Sequence, residues 1–419
     1  MIGFLKQKIF GRPVKSVKKP KNAYYVVGDF LRWPVILYKT LGIVPYGTDQ
    51  NPGLWFYVYF LLLMANLVIT VTETVLFTVI SFRENNDVLE GCILCGYITF
   101  TVTGVLKIIT VVMQKEKLTT LVRRLESCFP QFNEMEQEQF AVKTYLKRCH
   151  LFTKCFSVLM MAMFFTHSLS AIVIYAFQRL WLRSVDAKQS LPFFDYAPWD
   201  WRGSWKYYMT YVGQSLSGYA ATCGNMSCDL MIFAMVFQVT MYFDRLSKAL
   251  REFRIRRHGR VDETSNKMEE LRSLIVYHIK ILGLTDLINA VFGVPLLLNF
   301  MASSWLVCLV GFQLTIDFSP EHFCKQVLLL VSALVEIFLL CSFSQMLINA
   351  SENVRLAVYE MNWTEAEPQF RKMLILLSLR ARKPICLNAT VILNVSIETM
   401  SIFLRVSYKF FCAVRMMYK

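Results

Sequence analysis

Charge is scarce in this 419-residue chain: Asp, Glu, Lys and Arg make up 18% of it, too little to cover the surface of a soluble protein of this size. The motifs of the common enzyme classes are also missing. There is no H-E-x-x-H, G-x-S-x-G, P-loop or G-x-G-x-x-G, so neither an enzyme nor a cofactor is expected. The five histidines (His150, His167, His258, His278 and His322) stand in separate segments without ligand spacing, and no metal site is expected. The twelve cysteines lack the paired spacing of a disulfide framework, and Cys92-x-x-Cys95 lies inside an apolar run, where both read as packing residues. The opening residues, MIGFLKQKIFGRPVK, have no apolar core of the signal-peptide kind and are expected to stay on the chain. No internal repeat is evident, which weighs against an inverted-repeat transporter.

What the chain has in excess is apolar length. Hydrophobic residues make up 55% and aromatic residues 14% of it, and the mean hydropathy is +0.41. Seven apolar segments, at roughly 54–80, 88–113, 151–178, 206–242, 272–314, 325–349 and 386–414, exceed the ~18 residues that a bilayer crossing needs. The fold class expected is therefore all-α: a polytopic membrane protein with seven transmembrane helices. The fourth and fifth segments are too long for a hydrocarbon core of ~30 Å and are expected to project into water or to break, with Pro295 as the natural kink. Lys and Arg concentrate before the first segment and in the second, fourth and sixth loops, which places the amino terminus in the cytoplasm and the carboxyl terminus outside. The net charge of +15 is read as this asymmetry and not as a nucleic-acid surface. Lys6 to Lys21 is ordinary inside charge or, alternatively, a contact for the lipid bilayer. The division expected is 1–53, a cytoplasmic amino-terminal segment; 54–349, six transmembrane helices; 350–385, a cytoplasmic segment; and 386–419, the seventh helix with a short outer tail.

Seven spans suggest a G-protein-coupled receptor, and Asp244-Arg245 imitates the acidic-arginine pair of that class. The pair follows the fourth span, no N-P-x-x-Y occurs in the last, and the orientation is inverted, so that class is set aside. Ionisable residues inside spans are more informative, because each costs ~2.5–3.5 kcal/mol at mid-bilayer on insertion scales and must face protein or water. They are Glu73, Lys107, Asp229, Asp286, Glu336, Glu398, Arg405 and Lys409. Lys107 is expected to pair with Asp229, Asp286 or Glu336. Asn394, Glu398, Ser401, Arg405 and Lys409 share one helical face, either a stripe bordering a hydrated pore that Ala413, Val414 and Met417 close, or a buried polar ladder. His167, beside Phe164, Phe165 and Ser168, either lines a small-molecule cavity or packs between helices.

In the carboxyl third, S-E-N-V-R-L-A-V-Y-E-M-N-W (351–363), L-N-V-S-I-E-T-M (393–400) and R-V-S-Y-K-F-F (405–411) resemble the signature of the insect odorant receptor family. Leu41-Gly42-Ile43-Val44-Pro45 is similar to the element before the first span of those receptors. The gustatory branch ends in a pattern with a glutamine that Ser407-Tyr408-Lys409-Phe410-Phe411 lacks.

The resemblance implies an odour-tuning subunit of a non-selective cation channel, a heterotetramer with a co-receptor subunit, in the plasma membrane of sensory dendrites. The loop between the fourth and fifth spans is too short for the co-receptor itself. The resemblance further implies a pore lined by the last helix, with a gate near Ala413 and Val414 and with Met416 where the co-receptor has a polar residue. Arg405, Lys409 and Arg415 would repel cations in a homotetramer, and dilution by co-receptor subunits would ease this. The odour pocket of the family lies in the outer half of the bundle. By topology its lining candidates are Tyr97, Phe164, His167, Ser168, Ala171, Tyr175, Tyr211, Gln214 and Ser215, with Phe292, Leu330 and Leu334 closing it, a lining suited to an aromatic volatile odorant. The competing reading is a seven-helix receptor that signals through a cytoplasmic partner, or a gustatory-type channel for a non-volatile ligand.

Overall fold

The computed structural model describes residues 24–47, 53–85, 88–130, 133–181, 189–253, 261–316, 320–363, 366–390 and 393–417. The basic run Lys6 to Lys21 and the amino-terminal reading lie outside them. Two short helices, α1 (Val27–Phe30) and α2 (Arg32–Thr40), precede α3 (Leu54–Ile80), which ends in a π-helical turn at Ser81–Asn85. Then come α4 (Val88–Met113), α5 (Lys115–Cys128), α6 (Glu134–Gln139), α7 (Val142–Leu180) and α8 (Lys206–Glu252). The chain continues with α9 (Val261–Ile316), α10 (Pro320–Glu360), α11 (Pro368–Ala381), a two-stranded ladder of β1 (Asn388–Ala389) and β2 (Leu393–Asn394), and α12 (Ile397–Met417).

Among the described residues six helices, α3, α4, α7, α8, α9 and α10, are long and apolar enough to cross a membrane. Their interior hydroxyls are harmless to the helix because they return to a carbonyl one turn back: Thr70 to Asn66, Thr74 to Thr70, Thr78 to Thr74, Thr99 to Cys95 and Thr103 to Thr99, all at 2.7–3.0 Å. The expected overlong segments are real. They form unbroken helices of 47 residues in α8 and 56 in α9, with Pro295 inside α9.

The seventh segment departs from its expected bounds. The described residues 386–390 and 393–396 do not extend the last helix; Asn388–Ala389 and Leu393–Asn394 form the antiparallel ladder, with Asn388 opposite Asn394. Side chains of two long helices take up its backbone. Asn289 Nδ2 donates to the Cys386 carbonyl at 3.2 Å and its Oδ1 accepts from Asn388 N at 3.0 Å, while Ser344 Oγ donates to the Val395 carbonyl at 2.6 Å and accepts from Leu387 N at 3.1 Å. Leu387, Ala389 and Val395 are buried beneath. Asn394 therefore leaves the helical stripe. The helix that remains, α12, has Glu398, Arg405, Lys409 and Arg415 within 21 residues, which keeps it below the apolar length of the other six.

The bundle is built around α8, which packs against α2, α3, α4, α7, α9 and α10. The most apolar 18-residue window of α8 is 100% buried, against 17% for α3. On α3, Leu61, Leu62, Val68, Ile69 and Leu76 face outward as a lipid-facing side does. Because the middle of α8, Ala220 to Phe243, touches only protein, it tolerates polar residues, and it carries Asn225, Asp229 and Gln238 fully inside the molecule. Asp229 anchors a buried ionic cluster with Lys107 of α4 and Glu336 of α10. Lys107 Nζ lies 3.1 and 2.9 Å from the two Asp229 oxygens and 3.2 Å from Glu336 Oε1, and Asn299 Nδ2 of α9 donates to Asp229 Oδ1 at 2.8 Å. Of the three expected partners for Lys107, Asp286 is the one left out; it is exposed on α9.

Candidate functional site

A cavity of about 50 Å³ lies inside the bundle at the end capped by the 189–205 loop. A single water needs ~10–15 Å³ of such space, so it fits a few waters without moving a side chain. Five helices and the loop build the wall. Thr70, Val71 and Thr74 come from α3, Tyr97, Ile98, Phe100 and Thr101 from α4, and Met163, Phe164 and His167 from α7. From α8 come Gln214, Ser217, Gly218 and Thr222, with Leu329 from α10 and Phe193 and Phe194 from the loop.

Aromatic rings set its shape. Tyr97 meets His167 and Phe193 edge-on, at centroid distances of 5.9 and 5.7 Å, and His167 and Phe193 stack at 6.3 Å. Phe164 packs edge-on against Tyr219 at 5.9 Å. The loop is held in place by Gln214, whose Oε1 accepts from Phe193 N at 3.4 Å and whose Nε2 donates to the Phe194 carbonyl at 3.1 Å. Asp195 Oδ1 accepts from Leu191 N at 2.6 Å, tightening the turn that presents both phenylalanines. Gly218 supplies the seat for Phe193, since a Cβ there would stand 2.4 Å from the ring.

Tyr97, Phe164, His167 and Gln214, four of the residues expected from sequence, meet at this wall. The other eight lie elsewhere, for identifiable reasons. Tyr211 turns its hydroxyl to the Ser168 carbonyl and joins Ala171, Leu191, Trp201 and Tyr207 in a separate apolar cluster. Ser168 and Ser215 follow His167 and Gln214 by one residue, which turns each about 100° around its helix and off the cavity. Tyr175 lies two turns beyond His167 along α7. Phe292 belongs to the main core and is 0% exposed, so α9 adds nothing to the wall. Leu330 packs against Met163, Leu306, Val310 and Leu329, and Leu334 against the main core.

The reading missed α3 and the loop. A signal for α3 existed: Asn66, Thr70, Thr74 and Thr78 recur every fourth residue in an otherwise apolar helix. Asn66 Nδ2 reaches the Gly213 carbonyl at 2.9 Å and Ser217 Oγ at 2.8 Å, fastening α3 to α8 beside the cavity. For the loop the signal was Phe193-Phe194, an apolar pair where a solvent-exposed connection has no use for one.

The second candidate feature is the face of α12. Glu398, Ser401, Arg405 and Lys409 are all exposed, so the stripe points out of the subunit and is no internal ladder. The opposite face holds α12 to the bundle through Phe403, edge-on to Phe300, Ser407, 3.2 Å from Ser304 Oγ, and Phe411, over Gly311. Of the expected gate residues, Val414 belongs to that inner face, packing with Phe411 against Cys92, Leu309 and Phe312. Ala413 and Met416 are exposed; Met416 stands 11 residues, or about three turns, beyond Arg405, on the same stripe. The side chain of Met417 lies outside the described residues. Among the described residues no group of His, Cys, Asp and Glu could hold a metal ion.

Comparison with known proteins places the chain in a family. The model of the family described as 7tm Odorant receptor matches residues 94–408. Odorant receptor 67a of Drosophila melanogaster is 52% identical over 400 residues, covering 96% of this chain and 98% of the relative. Odorant receptor 85c of the same species is 31% identical over 392 residues, covering 93% and 99%. Among solved structures, the insect olfactory receptor OR5 from Machilis hrabei in complex with eugenol superposes with a TM-score of 0.78 at 15% identity, over 93% of this chain and 98% of that one. A family match over most of the chain, a relative identical at half its positions, and a shared helical fold make this chain a member of the insect odorant receptor family: an odorant-sensing, multi-pass membrane receptor.

Proposed function

We propose that this chain is the odour-tuning subunit of a ligand-gated, non-selective cation channel that it forms with a co-receptor subunit. A volatile odorant binds in the cavity between α3, α4, α7, α8, α10 and the 189–205 loop. Occupancy opens a pore bordered by α12, which serves as the seventh transmembrane helix, with the amino terminus in the cytoplasm and the carboxyl terminus outside. The receptor acts in the plasma membrane of sensory dendrites.

The observation that carries this reading is the ring-lined cavity inside the bundle. A volatile has few polar atoms, so burial and shape supply most of its affinity, and a pocket walled by Tyr97, Phe164, His167, Phe193 and Phe194 offers faces and edges to an aromatic one. The solved relative from Machilis hrabei binds eugenol, itself an aromatic volatile. The outward stripe of Glu398, Arg405 and Lys409 supports the pore. Charges at the rim of an otherwise apolar helix are stable where they meet water or another subunit. Two basic positions on that stripe also favour assembly with a different subunit over a ring of four copies, because cations would then meet fewer of them.

The test is whole-cell recording from cells expressing this chain with and without the co-receptor, under blocked G-protein signalling, during exposure to aromatic and aliphatic volatiles. A fast non-selective cation current confined to the co-expressing cells is expected, largest for aromatic compounds. Silence across the panel, with surface expression confirmed and the co-receptor answering its own agonist, overturns the proposal.

A further inference from the structure

We infer that the cavity selects odorants carrying an O–H donor, an alcohol or a phenol, which His167 Nε2 accepts; this rests on the reading of the cavity as the odorant site. His167 is 3% exposed, and its Nδ1 lies 2.9 Å from the Met163 carbonyl one turn back on α7. A carbonyl oxygen only accepts, so Nδ1 holds the ring proton and donates it there. In a neutral imidazole the other nitrogen is then an acceptor with an open lone pair. That atom, Nε2, is buried and has no partner. It lies on the ring edge away from its own helix, on a residue of the cavity wall. The ring is also fixed in place, with Tyr97 against its edge and Phe193 stacked on its face, so the lone pair keeps one direction.

The polar neighbours sharpen the selection. Thr70, Thr74, Ser217 and Thr222 are on the wall, yet their hydroxyls already donate to the carbonyls of Asn66, Thr70, Asn66 and Gly218. Gln214 spends both ends of its amide on the loop. The protons of these four hydroxyls are engaged and the Gln214 amide is held on the loop, whereas His167 Nε2 is a buried acceptor without a partner. An orphaned buried acceptor is costly, and a site built to receive a ligand proton rejects analogues that cannot supply one. Ethers and hydrocarbons of matching shape leave Nε2 orphaned; alcohols and phenols satisfy it.

The test uses sets of three volatiles on co-expressing cells: 2-phenylethanol with its methyl ether and propylbenzene, benzyl alcohol with its methyl ether and ethylbenzene, and phenol with anisole and toluene. The ether keeps the oxygen and loses the donor, and the hydrocarbon keeps the size of the alcohol. On the unmodified receptor the alcohol or phenol should act at about tenfold lower concentration than either companion, as one satisfied hydrogen bond provides. His167→Phe keeps a ring in place and removes the acceptor; it should bring each set to within about twofold, with the ether and hydrocarbon responses retained. His167→Leu is the second variant where the larger ring does not fit. Equal potency within the sets on the unmodified receptor overturns the inference and leaves the odorant cavity standing. A preference for alcohols that survives His167→Phe or His167→Leu overturns it as well. Silence of the unmodified receptor toward all nine compounds, with surface expression and the co-receptor's own response intact, overturns the odorant cavity itself and the inference with it.

Discussion

At the scale of single residues, the cavity depends on contacts between the 189–205 loop and α8. Gln214→Leu leaves the Phe193 amide and the Phe194 carbonyl without their partner, at a cost of roughly 1–3 kcal/mol. Odorant concentration–response curves should therefore shift to higher concentration by about tenfold or more, while the co-receptor's own agonist acts unchanged. Gly218→Ala acts on the same loop by a different route. The added methyl occupies the place of the Phe193 ring, and the expected result is altered odorant order with surface expression retained, read from the same panel. Some of this was legible in the amino-acid order and some was not. Tyr97, Phe164, His167 and Gln214 stand out as polar or aromatic residues some two to four turns from the ends of apolar runs. Phe193 and Phe194 reach the cavity only because the loop folds back over the bundle, which periodicity in the helices does not encode.

At the scale of elements, the cavity and the ionic cluster lie on the same three helices at one interval. Phe100 and Lys107 on α4, Thr222 and Asp229 on α8, and Leu329 and Glu336 on α10 are each seven residues apart, two turns and about 10 Å along one face. Between the two layers, Gly104 lets α4 approach α8 so closely that a Cβ there would stand 2.7 Å from the Ala221 carbonyl. Removing one member of a buried ion pair typically costs ~3–5 kcal/mol, while replacing the whole set by apolar residues is often neutral. Lys107→Leu should accordingly lower the melting temperature of the detergent-purified receptor and its surface yield sharply. The triple replacement of Lys107, Asp229 and Glu336 by Leu should recover much of that loss. A triple variant no better than Lys107→Leu would show that the cluster does more than balance charge. The sequence announced the cluster, since charges within apolar runs must find partners, but it left Asp286 as an equal candidate for Lys107. The ladder of Asn388–Ala389 and Leu393–Asn394 was illegible for a related reason: it adjoins an apolar helix in sequence, and side chains distant in sequence, Asn289 and Ser344, take up the backbone around it.

At the scale of the whole molecule, the exposed stripe on α12 sets what the subunit brings to an assembly. Replacing Arg405 and Lys409 together by Gln removes two positive charges from the proposed pore wall. In co-expressing cells this should raise single-channel cation conductance and move reversal potentials in dilution experiments toward greater cation preference. Unchanged conductance and selectivity would turn both side chains away from the ion path. The other whole-molecule property is the seclusion of the middle of α8 among the helices packed on it, the six named above and α1. A ribosome makes the chain from one end, and two of those six, α9 and α10, are completed only after α8. Until residue 360 has been added, Asp229 has Lys107 but lacks the Asn299 and Glu336 that complete its cluster, and α8 lacks the two later helices that pack on it. Assembly of this receptor therefore has to wait for its later helices, and a premature stop between α8 and α10 should leave a chain that is inserted yet marked for degradation.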